Sequence, residues 1–233
     1  MPFTAYDVLY QASITLNDAQ SVRWPLPELL SWLNAGVREI VVAKPDANSK
    51  TVELAMATGT VQTLAEDHYA LVRVIRNLTN VANATPRVGG ASITPTKRHV
   101  LDASYPGWQN PTVLPYTKEV SHVIQDDAEA RTFYVVPGNN GTGLIEAVVS
   151  VMPNNIATPA NPLALASYSA LTVQLRDECQ NPLLDYILSR AFSKDIAVAG
   201  SAQRAVAHYN AFATAMGLAA RGEEQATINT PKT

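Results

Sequence analysis

The chain has 233 residues, 47% of them hydrophobic, yet only 16% are charged against about 25% in an ordinary globular protein. That length suits either one domain with a large insertion or two domains, and it excludes a chain too short to bury a core. A net charge of −3, from 17 basic and 20 acidic residues with no basic tract, excludes tight binding to nucleic acid through phosphate neutralisation.

The single cysteine, Cys179, excludes an intrachain disulfide and is compatible with folding in a reducing cytoplasm. No apolar run of about 18 residues occurs, and the N-terminus carries Asp7 without a basic lead-in. A soluble, cytoplasmically made protein is therefore expected. A surface poor in charge is what interfaces between chains look like, although Ala-rich helices and Thr-rich strands lower the charge count equally well.

In chain order, Thr4 is placed to cap a short helix with Tyr6, Leu9, Tyr10, Ser13 and Ile14 on one face, and Asn17-Asp18 then supplies a turn. A second helix is predicted from about Pro25 to Ala43. Leu26, Leu29, Leu30, Leu33, Val37, Ile40 and Val41 recur on one stripe. Prolines 25 and 27 fall in the first turn, where amides lack intrahelical acceptors, and Pro45 pushes Lys44 out of the helical region.

The period then changes from 3.6 to 2. Thr51–Met56 and Thr60–Leu64, broken at Thr58-Gly59, read as a hairpin, and further strands are expected at Leu71–Leu78, Val113–Ile124, Arg131–Val136 and Leu144–Met152. Short connections favour antiparallel pairing. Thr96–Ala103 reads as a short helix capped by Thr96, and Tyr105-Pro106-Gly107-Trp108 as a loop holding an aromatic ring. Residues 153–162, with their prolines and asparagines, read as an extended connection.

Two amphipathic helices follow. Leu183, Ile187 and Ala191, flanked by Leu184, Leu188, Phe192 and Ile196, line the first. Ala202, Ala205, Val206, Tyr209, Phe212, Ala213 and Met216 line the second, after a break at Gly200. The fold class expected is α+β: a helical bundle from residues 1–49 and 163–217, a β-rich insertion at 50–152, a linker at 153–162, and an extended, polar C-terminal tail at 218–233.

Reactive chemistry is not suggested by any spacing. His68, His99, His122 and His208 are scattered and Cys179 has no sequence neighbour suited to a metal, so no metal or cofactor is expected. Asp126, Asp127 and Glu129 read as a solvated turn. The run Gly138-Asn139-Asn140-Gly141-Thr142-Gly143 leads into a strand without a Lys-Ser/Thr pair, so it reads as a hairpin turn and not a phosphate loop. Gly89-Gly90-Ala91-Ser92 lacks the flanks of a nucleophile elbow.

The stretch Arg23-Trp24, Glu28-Leu29-Leu30, Trp32-Leu33-Asn34 and Pro45-Asp46 resembles the N-terminal signature of the phage head-to-tail adaptor proteins. Cys179–Tyr186, with Asp195 and Tyr209 beyond it, resembles that family's C-terminal helical hairpin. The matching positions are Arg23, Trp24, Glu28, Leu29, Asn34, Pro45, Asp46, Tyr186, Asp195 and Tyr209. Such proteins usually place Ser, Thr or Asp after the Trp as a helix cap. Here Pro25-Leu26-Pro27 stands instead, so a hydrogen bond worth about 0.5–2 kcal/mol is absent or supplied elsewhere.

The resemblance implies a structural virion protein of the neck, assembled in the host cytoplasm and performing no reaction. It implies a ring of about a dozen copies between the portal protein and a tail or nozzle protein, through which genomic DNA passes without specific binding. Trp108 in its loop, and Leu218, Arg221, Ile228 and Pro231 in a tail reaching for the portal, are the candidate partner contacts. Asp195 and Asn34 read either as ring contacts or as buried polar groups fixing helix register, and Trp24 and Trp32 as core. The alternative is a ligand- or receptor-binding virion module whose β insertion uses Trp108 and Tyr105; a small enzyme is a third reading.

Overall fold

The computed structural model describes residues 3–80, 82–125, 129–195 and 197–217. The protein is α+β. Among the described residues the helices are α1 (Ala5–Thr15), α2 (Leu26–Ala43), α3 (Arg98–Ser104), α4 (Gln180–Lys194) and α5 (Ser201–Ala215). The strands are β1 (Ser49–Ala55), β2 (Thr58–Thr63), β3 (His68–Leu78), β4 (Gly89–Ser92), β5 (Thr94–Pro95), β6 (His122–Gln125), β7 (Thr132–Asn140) and β8 (Leu144–Val151). The chain divides into two compact units, one from the residues up to Asn48 and from Pro153 onward, the other from Ser49 to Met152.

In the helical unit, α1 starts on a capping box. The Thr4 hydroxyl accepts from the Asp7 N–H at 3.3 Å while the Asp7 carboxylate accepts from the Thr4 N–H at 2.8 Å. Its buried face is Ala5, Val8, Leu9, Ala12 and Ser13; Tyr10 and Ile14, expected inside, stand outside. Helix α2 buries the predicted stripe, and α4 packs against α1 and α2 and, through Tyr186 and Phe212, against α5. Helix α5 buries Ser201, Ala205, Phe212 and Met216, so Ala202, Val206 and Tyr209 of its predicted face are exposed. Of the stripe expected on α4, Ile196 lies outside the described residues.

In the β unit the strands form two four-stranded sheets, ordered β1-β8-β3-β4 and β2-β7-β6-β5. The pairing at Thr58-Gly59 is therefore not a hairpin: β1 pairs with β8 and β2 with β7, each antiparallel, so one two-stranded ribbon passes from the first sheet to the second. The bend coincides with Gly59 and Gly141, both at positive φ (116° and 86°), and with a register shift between Gly59 and Val61. Strand β7 runs on to Asn140, opposite Thr58, and β8 starts at Leu144 in the other sheet without pairing with β7, so Gly141–Gly143 is the bend from one sheet to the other and not the hairpin turn expected from Gly138 onward. The buried Asn139 fixes it, its side-chain Oδ1 accepting from the N–H groups of Gly141 (2.9 Å) and Gly143 (3.1 Å).

Pairing between the named strands is antiparallel except between β5 and β6, which run parallel, and an isolated parallel bridge joins Thr117 to Asn139. Of the strand expected at Val113–Ile124 only β6 forms; the rest is turn and loop, with Val113 57% exposed. Helix α3 begins after Lys97 without a side-chain cap, so Thr96 does not cap it. Met56, Leu71, Val123, Phe133, Val135, Ile145 and Val149, drawn from both sheets and the connections between them, make the core between the sheets.

Across the first sheet an ionic network ties the loop after β3 to the strands. Arg87 donates to Glu53 (2.8 Å) and Glu146 (2.9 Å), and Arg76 donates to Glu146 (2.8 Å). These bonds, that from Arg87 foremost, hold the buried Glu146 carboxyl below its usual range against the opposing effect of burial. A carboxyl depressed in the folded state stabilises above its unfolded pKa of about 4.3, and that contribution disappears as pH falls through the folded value. Glu146→Gln should accordingly lower the urea midpoint at about pH 7, with the gap to wild type closing toward about pH 3. A constant gap across that titration would contradict this.

Candidate assembly surface

Helix α2 is clamped to the chain around α4 at both of its ends. At its start, Pro25 occupies the cap position and supplies no side-chain hydrogen bond. Asp18 compensates one step earlier, its carboxylate accepting from the backbone N–H groups of Val22 (3.0 Å), Arg23 (2.9 Å) and Trp24 (2.9 Å). Burial pushes this carboxyl up, and the three amides together more than offset that, leaving it below its ordinary value. The turn so fixed aims three side chains at the end of α4. Arg23 pairs with Asp195, the indole N–H of Trp24 donates to the Ala191 carbonyl at 3.3 Å, and Glu28 pairs with Lys194 at 2.6 Å.

At the other end Pro45 opens a 3-10 turn (Pro45–Asn48), and Lys44 pairs with Glu178 at 2.8 Å and Asp46 with Arg176 at 3.1 Å. Lys44 and Glu178 stabilise each other's charge, raising the first pKa and lowering the second. Between the clamps α2 and α4 approach closely at Gly36, where a Cβ would lie 2.7 Å from both Leu183 Cδ1 and Tyr186 Cδ1. Tyr186 is buried, its hydroxyl accepting from Arg190 at 2.9 Å, and Leu29 is 1% exposed. Asn34 pairs with the backbone of Ile156 through both atoms of its amide.

Nine of the ten family-like positions thus hold the helical unit together, and of these Asn34 also lines a cleft beside α2. Tyr209 differs, being 50% exposed on α5. Asp195 is the C-cap of α4, where Arg23 reaches it, and not a mid-helix polar group. Asp18, Arg176, Glu178 and Lys194 complete the clamps but carry no local signature. Only Gly36, a helix-weakening residue inside an apolar stripe, signals its role from the sequence. The clamp at the start of α2 is half-exposed, so its worth is small. A double-mutant cycle on Arg23→Ala and Asp195→Ala should give a coupling of about 0.5–1 kcal/mol, and zero coupling would show that Trp24 and the Asp18 turn carry the junction alone.

What this packing leaves outside is apolar on two helices. On α1, Tyr10 (45% exposed) stacks on Tyr6 at 5.7 Å, and Ile14 is 55% exposed. On α5, Val206 is 59% exposed, beside Tyr209 and the exposed Ala202, Ala207 and Asn210, which line a shallow apolar depression. Both helices pack on α4, α1 together with α2 and α5 through the Tyr186–Phe212 contact.

Trp108, expected as a contact with another chain, is 1% exposed. Its indole N–H donates to Asp102 at 2.9 Å, and its ring meets Tyr134 edge-on at 6.2 Å over Ile124 and Val136. The ring is an anchor for its own loop, because α3 and the second sheet enclose it, and no face of it is left for a partner. Leu218, Arg221, Ile228 and Pro231, and Asp126 and Asp127, lie outside the described residues. Among the described residues no three His, Cys, Asp or Glu side chains gather as metal ligands, and no helix is long and apolar enough to cross a membrane.

Among curated proteins none matches the chain. A family profile described as SU10 adaptor protein matches residues 3–232. That match takes in both clamps and the β unit between them, nearly the whole chain, and the protein therefore belongs to the SU10 adaptor family of phage structural proteins.

Proposed function

We propose that the protein is the head-to-tail adaptor of a tailed phage: copies close into a ring of about a dozen between portal and tail, in the neck of the virion. The observation that carries this reading is the pair of bare apolar faces on α1 and α5. Faces of unlike shape on one subunit suit a head-to-tail contact, in which the α1 face of one copy seats on the α5 face of the next and rotation closes the ring. Membership of an adaptor family supports the same assignment.

The work of such a protein is geometric. Each copy presents a docking surface to the portal on one rim and to a tail or nozzle protein on the other, and genomic DNA passes through the channel. A chain of net charge −3 holds no excess of cations to grip that DNA. No reaction and no cofactor is called for, and assembly takes place in the host cytoplasm.

Tyr10→Glu and Val206→Glu test the faces. Both positions are exposed, so each variant should melt within about 0.5 kcal/mol of wild type while losing assembly with the portal protein, followed by native mass spectrometry. Wild-type assembly by both variants would refute the assignment of these faces.

A further inference from the structure

Two extended segments of the helical unit lie over α2 with backbone groups left over. The first is the return stretch Pro153–Ala157. The Asn34 amide nitrogen donates to the Ile156 carbonyl at 3.0 Å, and its carbonyl accepts from the Ile156 N–H at 2.9 Å, as a neighbouring strand would. Peptide groups of an extended chain alternate in direction, so the Asn155 carbonyl and the Ala157 N–H point the opposite way. The second segment is Ala170–Gln174. Its Leu171 carbonyl accepts from the Ala5 N–H at 2.8 Å, and its Val173 N–H donates to the Phe3 carbonyl at 3.0 Å. That bridge turns both backbone groups of the exposed Thr172 away from α1.

Between the segments is a cleft of about 240 Å³ lined by both of them and by Asn34 and Val37 of α2, with no charged side chain in its lining. It presents polar backbone along two edges and uncharged side chains elsewhere, which is the chemistry that captures an extended peptide as an added strand.

We propose that this cleft binds the chain's own residues Ala226–Thr230. Described structure ends at Gly217, just after α5, whose Phe212 rests on Tyr186, the residue that stands against Gly36 beside Val37. The ten residues from there to Thr227 reach roughly 33 Å when extended. Ala226-Thr227-Ile228-Asn229-Thr230 is the uncharged, β-branched stretch of the C-terminus, set between Glu223-Glu224 and Pro231-Lys232. An uncharged lining admits it and disfavours its flanks, whose charges would lose water. Pro231, without an N–H, ends the ladder.

Tethering gives this segment a local concentration of order millimolar, so it outcompetes the same segment of a second copy. The consequence is a stored C-terminus: before assembly the segment occupies its own subunit, and a partner must draw it out to use it.

The test uses the full-length monomer and so does not depend on ring formation. Thr172→Cys is combined with Ile228→Cys or with Asn229→Cys, because one residue of register decides which side chain faces it. One of the two pairs should oxidise to an intrachain disulfide, seen as a faster-running monomer. In parallel, Ile228→Pro should raise amide exchange at residues 155–157 and 170–174 by about tenfold or more. Covalent dimers in place of the closed monomer would give the cleft to a second copy and overturn the proposal. So would unchanged exchange in Ile228→Pro, or no disulfide from either pair.

Discussion

Phe212→Ala is expected to cost about 3–5 kcal/mol and to release α5 from the helical unit. The ring is 1% exposed and meets Tyr186 at 5.2 Å with an interplanar angle of 63°, an edge-to-face contact adding to the apolar area buried. The other contacts of α5 are smaller: His208 stacks on Phe192 at 5.7 Å, and Arg204 lies over the same ring. Ser201, Ala205 and Met216 are its other buried residues, and the hydrogen bond between His208 Nδ1 and Asp185 (2.8 Å) is partly exposed. Denaturant unfolding should show the loss, and amide exchange should show residues 201–216 opening well before α2. Phe212→Leu, which refills most of the volume, should recover more than half of it. A loss below about 1 kcal/mol in Phe212→Ala would mean that α5 is held from elsewhere.

Gly36→Ala is the second large effect, and its sign runs against helix propensity. In an exposed helix the change gains about 1 kcal/mol. At Gly36 the new Cβ would sit 2.7 Å from Leu183 Cδ1 and Tyr186 Cδ1. Leu183 can give way at its end, but Tyr186 is fixed by the Arg190 hydrogen bond at its hydroxyl and by Phe212 at its ring. Helices α2 and α4 must therefore separate, and overpacking of this kind costs about 1–3 kcal/mol after the propensity gain is included. Thermal or urea unfolding decides the sign, and a stabilised Gly36→Ala would contradict the close approach.

These two residues also show how far the sequence could be read. Helix α2 is legible to within a residue, since proline at each end and a long apolar stripe are local signals. The glycine in that stripe marks a close approach but does not say to which helix. On α1 and α5 periodicity picks out apolar side chains without saying which of them the chain itself covers. Tyr10, Ile14, Val206 and Tyr209 therefore stand on the predicted stripes although they are exposed.

In the β unit, alternation marks β1 and β2 as strands, yet their sheets are set by β8 and β7, about 70 to 100 residues on, which no local pattern reports. Val113 is β-branched and apolar but lies in the loop anchored by Trp108, and that anchor hides in α3 and the second sheet in place of facing a partner. The clamps are only partly legible: Arg23, Glu28, Asp46 and Asp195 stand among the family-like positions, while Lys194 as the partner of Glu28, Arg176 as the partner of Asp46, and the Lys44–Glu178 pair become visible only in three dimensions.

The most direct test of the proposed assembly is covalent capture of the contact between copies. Tyr10→Cys and Val206→Cys, combined in one full-length chain, are bridged with a short thiol-reactive linker in the presence of portal protein; the native Cys179 is buried and stays out of the reaction. The head-to-tail account predicts a ladder of covalent species from the double variant that stops at a single ring size, and only monomers from either single variant. Dimers from a single variant, or monomers alone from a double variant that still assembles, would contradict it.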